Sequence, residues 1–351
     1  MPYDNAAPLL KQRVLVLGGA GYIGSTLVPM LLDNGARVHV IDRFFFGENI
    51  LPAHPRLTHA RNDSRLLTTA EMQGFDTLID LAAISNDPAA DRFSELTRAI
   101  NYTARVRNAE LAKAAGIQRY LLSSSCSVYG FNPLPITELT PVNPLTTYAR
   151  ANAEAEYDLM QLSTRHFHVT ALRLGTVFGH SPRMRADLVV NAMTWSACRH
   201  RQVSVSGSGQ QSRPLVHVRD AAAAAIAAIQ APAVLVSGGI YNVAAENITI
   251  GEVAAQVCRH VSQALGEPVK ENFEGQNDAR SYRVSSDLIT STLQWHPRHS
   301  IEQGINELLD RISAGLDLEQ PRHHTLRWYE ELHRNPHHHP QVRLNGKMLH
   351  V

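Results

Sequence analysis

Short apolar runs alternate with longer amphipathic stretches through the first half of the chain, and that alternation predicts strands and helices by turns. Residues 13–17, RVLVL, read as a strand buried on both faces. Residues 22–34 predict a helix stopped by Gly35, with Pro29 expected to bend it. Further strands are predicted at 37–41, 57–61, 77–82, 118–122 and 168–172. Residues 43–55 read as a loop, and helices are predicted at 64–73, 93–115 and 148–163, with Gly116 stopping the second. Strands alternating with helices predict an α/β fold, a Rossmann-type doubly wound parallel sheet.

Past Gly179 the pattern loosens. Helices are expected at 188–200, 220–229, 250–265 and 301–314, and strands at 203–206, 215–218 and 241–243, with a turn at 207–211. This divides the chain into a dinucleotide-binding domain over 1–178, to which the chain returns near 215–245, and a smaller mixed α/β substrate domain over 179–330. No internal repeat is visible. Residues 331–351 form a His-rich tail. The C-terminal part of the chain carries His323, His324, His333 and His337 to His339, and its Pro-flanked composition reads as solvated with no metal site.

The polar residues worth a chemical reading sit where strands end. Gly18, Gly21 and Gly24 follow the first strand at a three-residue spacing, with Tyr22 and Ile23 between them. Such glycines let a backbone approach a pyrophosphate, which the following helix N-terminus favours. Asp42 ends the second strand, placed for an adenosine ribose and hence for NAD. Asp63 follows the third strand, where an acid holds an adenine amino group or caps the next helix. Leu81, Ala82, Ala83 and Ser85 follow the fourth strand, where small residues let backbone lie against a cofactor, and Asn101 lies on the long helix. Ser125 follows the fifth strand and Tyr148 opens a helix. Gly18, Asp42, Asp63, Ser85 and Ser125 all fall at the carboxyl ends of strands, which is one crevice.

Composition narrows the partners. The formal net charge of +1 over 351 residues gives no reason to propose nucleic acid or an anionic membrane. Cys126, Cys198 and Cys258 are odd in number and far apart, against a disulfide framework or zinc site and in keeping with a reducing compartment. The start of the chain lacks a basic-then-apolar signal pattern, and the Ala-rich run at 221–229 is too short to span a bilayer, so a cytoplasmic location is expected.

Seven motifs carry a resemblance that covers the chain to about residue 315: GGAGYIG at 18–24, DLAA at 80–83, SSSCSVYG at 123–130, NPLTTYARAN at 143–152, RLGTVFG at 173–179, RPLVHVRD at 213–220 and ARSYRV at 279–284. Together they resemble the extended short-chain dehydrogenase/reductases, specifically the NAD-dependent epimerases and dehydratases of nucleotide sugars. The resemblance implies NAD as cofactor, a nucleotide-sugar substrate and a homodimer. It makes Tyr148 the acid–base, Ser125 its hydrogen-bonding partner, and Ser85, Thr176, Asn191, Arg213, Arg280 and Arg283 substrate contacts. Guanidinium forks suit a diphosphate.

The chain departs from the family pattern at two points. Asn152 stands where the family has Lys, four residues after the tyrosine and on the same helix face, so it offers a hydrogen bond but no charge. Asp80 stands where the family commonly has His. The residues at 125–127 are Ser, Cys and Ser, where the 4,6-dehydratases have Thr-Asp-Glu, so that elimination is not expected. Epimerisation at C4 and reduction of a keto sugar stay open, beside a catalytically degenerate NAD-binding scaffold.

Overall fold

The computed structural model describes residues 9–275, 280–337, 339, 342–344, 347 and 348. Ala279, the first residue of one motif, and His338 lie outside them. Among the described residues the central sheet holds β1 (Arg13–Leu17), β2 (Arg37–Asp42), β3 (Leu57–Arg61), β4 (Thr77–Asp80), β5 (Arg119–Ser125), β6 (His168–Leu174) and β7 (Gly239–Val243). Their spatial order is β3-β2-β1-β4-β5-β6-β7, and every neighbouring pair is parallel.

Successive side chains of a strand enter opposite cores. Val14 and Val16 pack with Leu27, Val28 and Leu31 of the Gly24–Asp33 helix. Leu15 and Leu17 pack on the other side with Ala109, Ala112, Ala155 and Leu159. Helices therefore cover both faces, which is why these strands read as unbroken apolar runs. The fold is the expected doubly wound Rossmann sheet. Strand order reverses between β1 and β4, so the ligand crevice opens at their carboxyl ends.

Beyond β6 a second sheet forms. Thr176–Phe178 pairs parallel with Ser212–His217, which pairs antiparallel with Glu246–Thr249. A separate core gathers Val190, Met193, Val203, Val253, Val257 and Ile305. The Val218–Gln230 helix packs back on Gly24–Asp33, and β7 then joins the edge of the main sheet.

Several elements differ from the periodicity reading. The helix expected over 22–34 begins at Gly24 and continues through Pro29 to Asp33. The helix expected over 64–73 is two short turns, Ser64–Leu66 and Thr69–Met72. Thr68 breaks it, because in an extended conformation it forms a capping box with Glu71. The helix expected over 93–115 is a run over 94–114 with a π-helical segment at Ala99–Ala104, preceded by a short helix, Asp87–Arg92, capped by Asn86. The π turn coincides with Asn101, whose side chain is tied to a distant backbone; periodicity carries no trace of that contact. β5 runs on through Ser123, Ser124 and Ser125 because they pair with Leu172, Arg173 and Leu174.

The C-terminal residues that are described correct the solvated-tail reading. Thr325–Arg334 is a helix whose Tyr329 and Leu332 are buried, and Val342 and Leu344 are buried beyond it. Trp328 Nε1 donates to the Phe45 carbonyl at 2.7 Å, and Arg43 Nη2 donates to the Val342 carbonyl at 3.2 Å. An apolar face hidden among histidines and prolines holds the segment against the loop after β2. Among the described residues no three His, Cys, Asp or Glu side chains converge as metal ligands, and no helix is long and apolar enough to cross a membrane.

Candidate active site

A cavity of about 650 Å³ lies along the carboxyl ends of the strands. It runs from Asp42 and Asp63, past Gly18, Gly21, Tyr22, Ile23 and Gly24, to Ser125 and Tyr148, and ends at Thr176, Arg213 and Arg280. Leu81, Ala82, Ala83 and Ser85 form part of the wall. Asn101, Asn152, Asn191 and Arg283 are outside the lining.

The dinucleotide end is built on backbone proximity. Gly18 has a φ of +75°, and a Cβ there would stand 2.8 Å from the Ala82 nitrogen. At Gly24 a Cβ would come within 2.6 Å of the Gly18 carbonyl. Only glycine lets the turn after β1 close on the segment after β4 and on its own helix. Asp42 Oδ2 accepts from Ala20 N at 2.9 Å and Oδ1 from Phe44 N at 2.7 Å. Burial pushes the Asp42 carboxyl up, and those backbone donors oppose it. Each carboxylate oxygen has a further lone pair for a ribose hydroxyl. The glycine cradle and this acid suit a dinucleotide with an unphosphorylated ribose.

Arg43, next in sequence, is 7% exposed and turned aside: its Nη1 donates to Asp63 Oδ2 at 2.8 Å and its guanidinium lies 4.6 Å from the Phe45 ring centroid. Asp63 also caps the Ser64–Leu66 turn, accepting from Arg65 N at 2.9 Å. Burial raises the Asp63 carboxyl, but Arg65 and Arg43 outweigh it and hold it at about 2. Asn101 serves the cavity wall indirectly. Its Oδ1 accepts from Ile84 N and its Nδ2 donates to the Ile84 carbonyl, both at 2.9 Å.

Tyr148 sits at the start of the Thr147–Gln161 helix, whose N-cap Thr146 accepts from Ala149 N at 3.2 Å. Ser125, at the end of β5, lines the same cavity as Tyr148 and stands close enough to draw its pKa down. Burial raises the Tyr148 phenol above its ordinary value. Arg105, Arg185 and Ser125 pull it down, and Asp87 pushes it up. One turn on, Asn152 is fully buried and donates from Nδ2 to the Tyr148 carbonyl at 2.9 Å. A further turn on, Glu156 pairs with Arg173 of β6 at 2.6 Å. Residues 148, 152 and 156 thus share the inward helix face, and the ion pair pins that face to the sheet. Cys126 is buried and donates to the Arg173 carbonyl at 3.0 Å.

At the substrate end, Arg280 pairs with Asp87, and Arg213 donates to the carbonyls of Ser212 and Arg280. Asn191 is fully buried and acts as glue: Oδ1 accepts from Gly179 N at 3.0 Å, and Nδ2 donates to Arg185 O at 2.9 Å and Tyr22 Oη at 3.2 Å. Arg283 is exposed and its Nη2 donates to the Pro133 carbonyl at 3.4 Å.

Arg105, Arg183 and Arg185 are in the lining and were not singled out in the sequence. Arg105 is buried on the 94–114 helix. Arg185 forks onto Asp187 at 2.9 and 3.0 Å and reaches the Ser85 hydroxyl at 3.3 Å. Arg183 lies 3.6 Å from the Phe46 ring centroid, with its pKa lowered to about 10 by burial and by Arg185. No local signal marks them: Arg105 follows Asn101, Tyr102, Thr103 and Ala104, and Arg183 and Arg185 stand in a polar loop after Ser181 and Pro182.

The family model described as the NAD dependent epimerase/dehydratase family matches residues 14–244. A putative UDP-glucose 4-epimerase of Methanocaldococcus jannaschii is 24% identical, covering 85% of this chain and 97% of its own length. UDP-glucuronic acid decarboxylase 1 of Arabidopsis thaliana is 28% identical, covering 85% of this chain and 69% of its own. Among solved structures, MoeE5 in complex with UDP-glucuronic acid and NAD is 26% identical with a TM-score of 0.76, covering 87% of this chain and 100% of that one.

Proposed function

The chain belongs to the NAD dependent epimerase/dehydratase family, and from that premise we propose that it is a nucleotide-sugar 4-epimerase or ketoreductase working through Tyr148 and Ser125. NAD, when bound, supplies the acceptor or donor of a hydride at one sugar carbon. Tyr148 takes the hydroxyl proton from that carbon in oxidation and returns it in reduction. Ser125 hydrogen-bonds the same oxygen as charge develops on it. Gly18 to Gly24 and Asp42 hold the dinucleotide, and Arg213 and Arg280 hold the diphosphate of the sugar nucleotide.

The observation that carries this reading is that Tyr148 and Ser125 line one cavity together with the glycine turn, Arg213 and Arg280. Reduction is favoured over oxidation at neutral pH by the burial that keeps the Tyr148 phenol protonated. The acid-free run Ser125, Cys126, Ser127 speaks against 4,6-elimination. The same reading includes a cytoplasmic homodimer. Purified protein mixed with NAD and UDP-glucose or UDP-glucuronic acid tests it, by reduced-nicotinamide absorbance and product analysis. Turnover lost in Tyr148→Phe supports the reading. Inert wild type that still binds NAD turns the assignment to the scaffold alternative.

A further inference from the structure

We propose that Arg105 supplies the positive charge that position 152 lacks, and that Asp80, Arg105 and Asn152 form one compensated set acting on Tyr148. The inference rests on Tyr148 as the acid–base. Arg105 is then a positioning residue for the proton transfer.

The geometry is specific. Arg105 is 2% exposed and is the first residue after the π-helical segment. Its Nη1 donates to Asn152 Oδ1 at 2.7 Å, and its Nη2 donates to the Ser123 carbonyl at 3.3 Å. Nη1 also lies 3.4 Å from the Asn101 carbonyl. The guanidinium is thereby fixed between the tyrosine's helix and the strand that ends in Ser125. It lines the same cavity as Tyr148 and Ser125, and its Nε has no partner among the described residues.

A buried guanidinium needs a counter-charge. Asp80, fully buried, supplies it without a direct ion pair, and the charge of Arg105 draws its pKa down. Asp80 accepts from Ala82 N at 3.1 Å and from the Tyr120 hydroxyl at 2.6 Å, and that hydroxyl lies 3.2 Å from the Arg105 carbonyl. Both contacts are donated to Asp80, which suits its carboxylate form. The Arg105 charge lowers both the Asp80 and the Tyr148 pKa against the burial that raises them. The two positions where the sequence departs from its family are thus both linked to one arginine, Asn152 by a hydrogen bond to its side chain and Asp80 by way of the Tyr120 hydroxyl. Asn suits position 152 because its amide gives an acceptor to Arg105 and a donor to the Tyr148 carbonyl. A lysine there would set a second cation within hydrogen-bond range of Arg105. The groups that face Tyr148 are Arg105, Asp87, Arg185 and Ser125. Of these Arg185 is already forked onto Asp187.

The test needs no sugar. Ring-labelled tyrosine in the full chain with NAD is titrated by NMR, with Tyr148→Phe to assign the signal. Arg105→Gln is expected to raise the Tyr148 midpoint by about one pH unit or more, and adding Asn152→Lys to it to bring the midpoint back. Asn152→Lys alone is expected to lower the melting temperature, and Arg105→Gln to rescue it. An unchanged Tyr148 midpoint in folded Arg105→Gln overturns the proposal. If that variant does not fold, the double variant decides: a wild-type midpoint supports the relocated charge, and a raised one overturns it. Turnover of UDP-glucose by Tyr148→Phe checks the catalytic reading separately.

Discussion

Two residues set the chemistry that can be measured first. Asp42 engages each of its oxygens with one backbone donor and keeps lone pairs for ribose hydroxyls, whereas a 2′-phosphate would meet its charge. Arg43, the neighbouring cation, is held away from that phosphate position by Asp63 and the Val342 carbonyl. NAD is therefore expected to bind at least about tenfold more tightly than NADP, as the loss of a charged hydrogen bond costs about 1.5–3 kcal/mol; calorimetry with the two dinucleotides decides it. Tyr148 carries the second prediction. Its phenol titrates above its ordinary value, mainly through burial. Oxidation needs the phenolate, so its rate should climb as pH rises from neutrality. Reduction needs the phenol, so its rate should hold through neutrality and fall only as pH passes the raised value. Profiles of both directions for wild type and Tyr148→Phe check the sign, and a flat oxidation profile is incompatible with it.

At the scale of elements, the tyrosine's helix is aimed by a buried ion pair two turns from the reaction. Glu156 and Arg173 are 3% and 6% exposed at the side chain, and Ser124 and Tyr129 hydroxyls complete their shells. Glu156→Ala leaves Arg173 charged and buried without a carboxylate. The expected loss is about 3–5 kcal/mol in urea unfolding, with turnover falling because Tyr148 loses its bearing. A change below the measurement error would mean that solvent reaches Arg173. The 94–114 helix illustrates the limit of pattern. Its period predicts one regular helix, but Asn101 inside the π segment bonds the backbone of Ile84. No local property of residues 93–115 encodes that partner.

The substrate end exists only in the whole molecule. Arg213 lies in the central strand of the second sheet, Ser212–His217, and Arg280 stands 67 positions later, yet Arg213 donates to the Arg280 carbonyl and Arg280 pairs with Asp87 from beyond β4. Replacing either arginine by Ala is expected to weaken UDP-glucose binding about tenfold or more while NAD binding stays as it is. Unaltered sugar-nucleotide binding in both variants would put the diphosphate elsewhere in the cavity. The C-terminal helix belongs to this scale too, since Tyr329 reaches the cavity wall from the far end of the chain.

The sequence by itself determined the succession of strands and helices along the chain, the glycine turn and Asp42, because each depends on local pattern: apolar runs that must be buried on both faces, and backbone that only glycine permits. It also determined the approximate places of Ser125 and Tyr148, which fall at element ends. Tertiary structure alone decided which polar residues face the cavity. Asn191 and Asn101 became buried supports, Arg283 stayed on the surface, and Arg105 arrived beside Asn152 from a helix 47 positions earlier. The difference is physical. Burial of apolar runs is a short-range constraint that a chain displays to any reader, whereas a buried polar group is satisfied by whichever partner the finished packing brings within hydrogen-bond range.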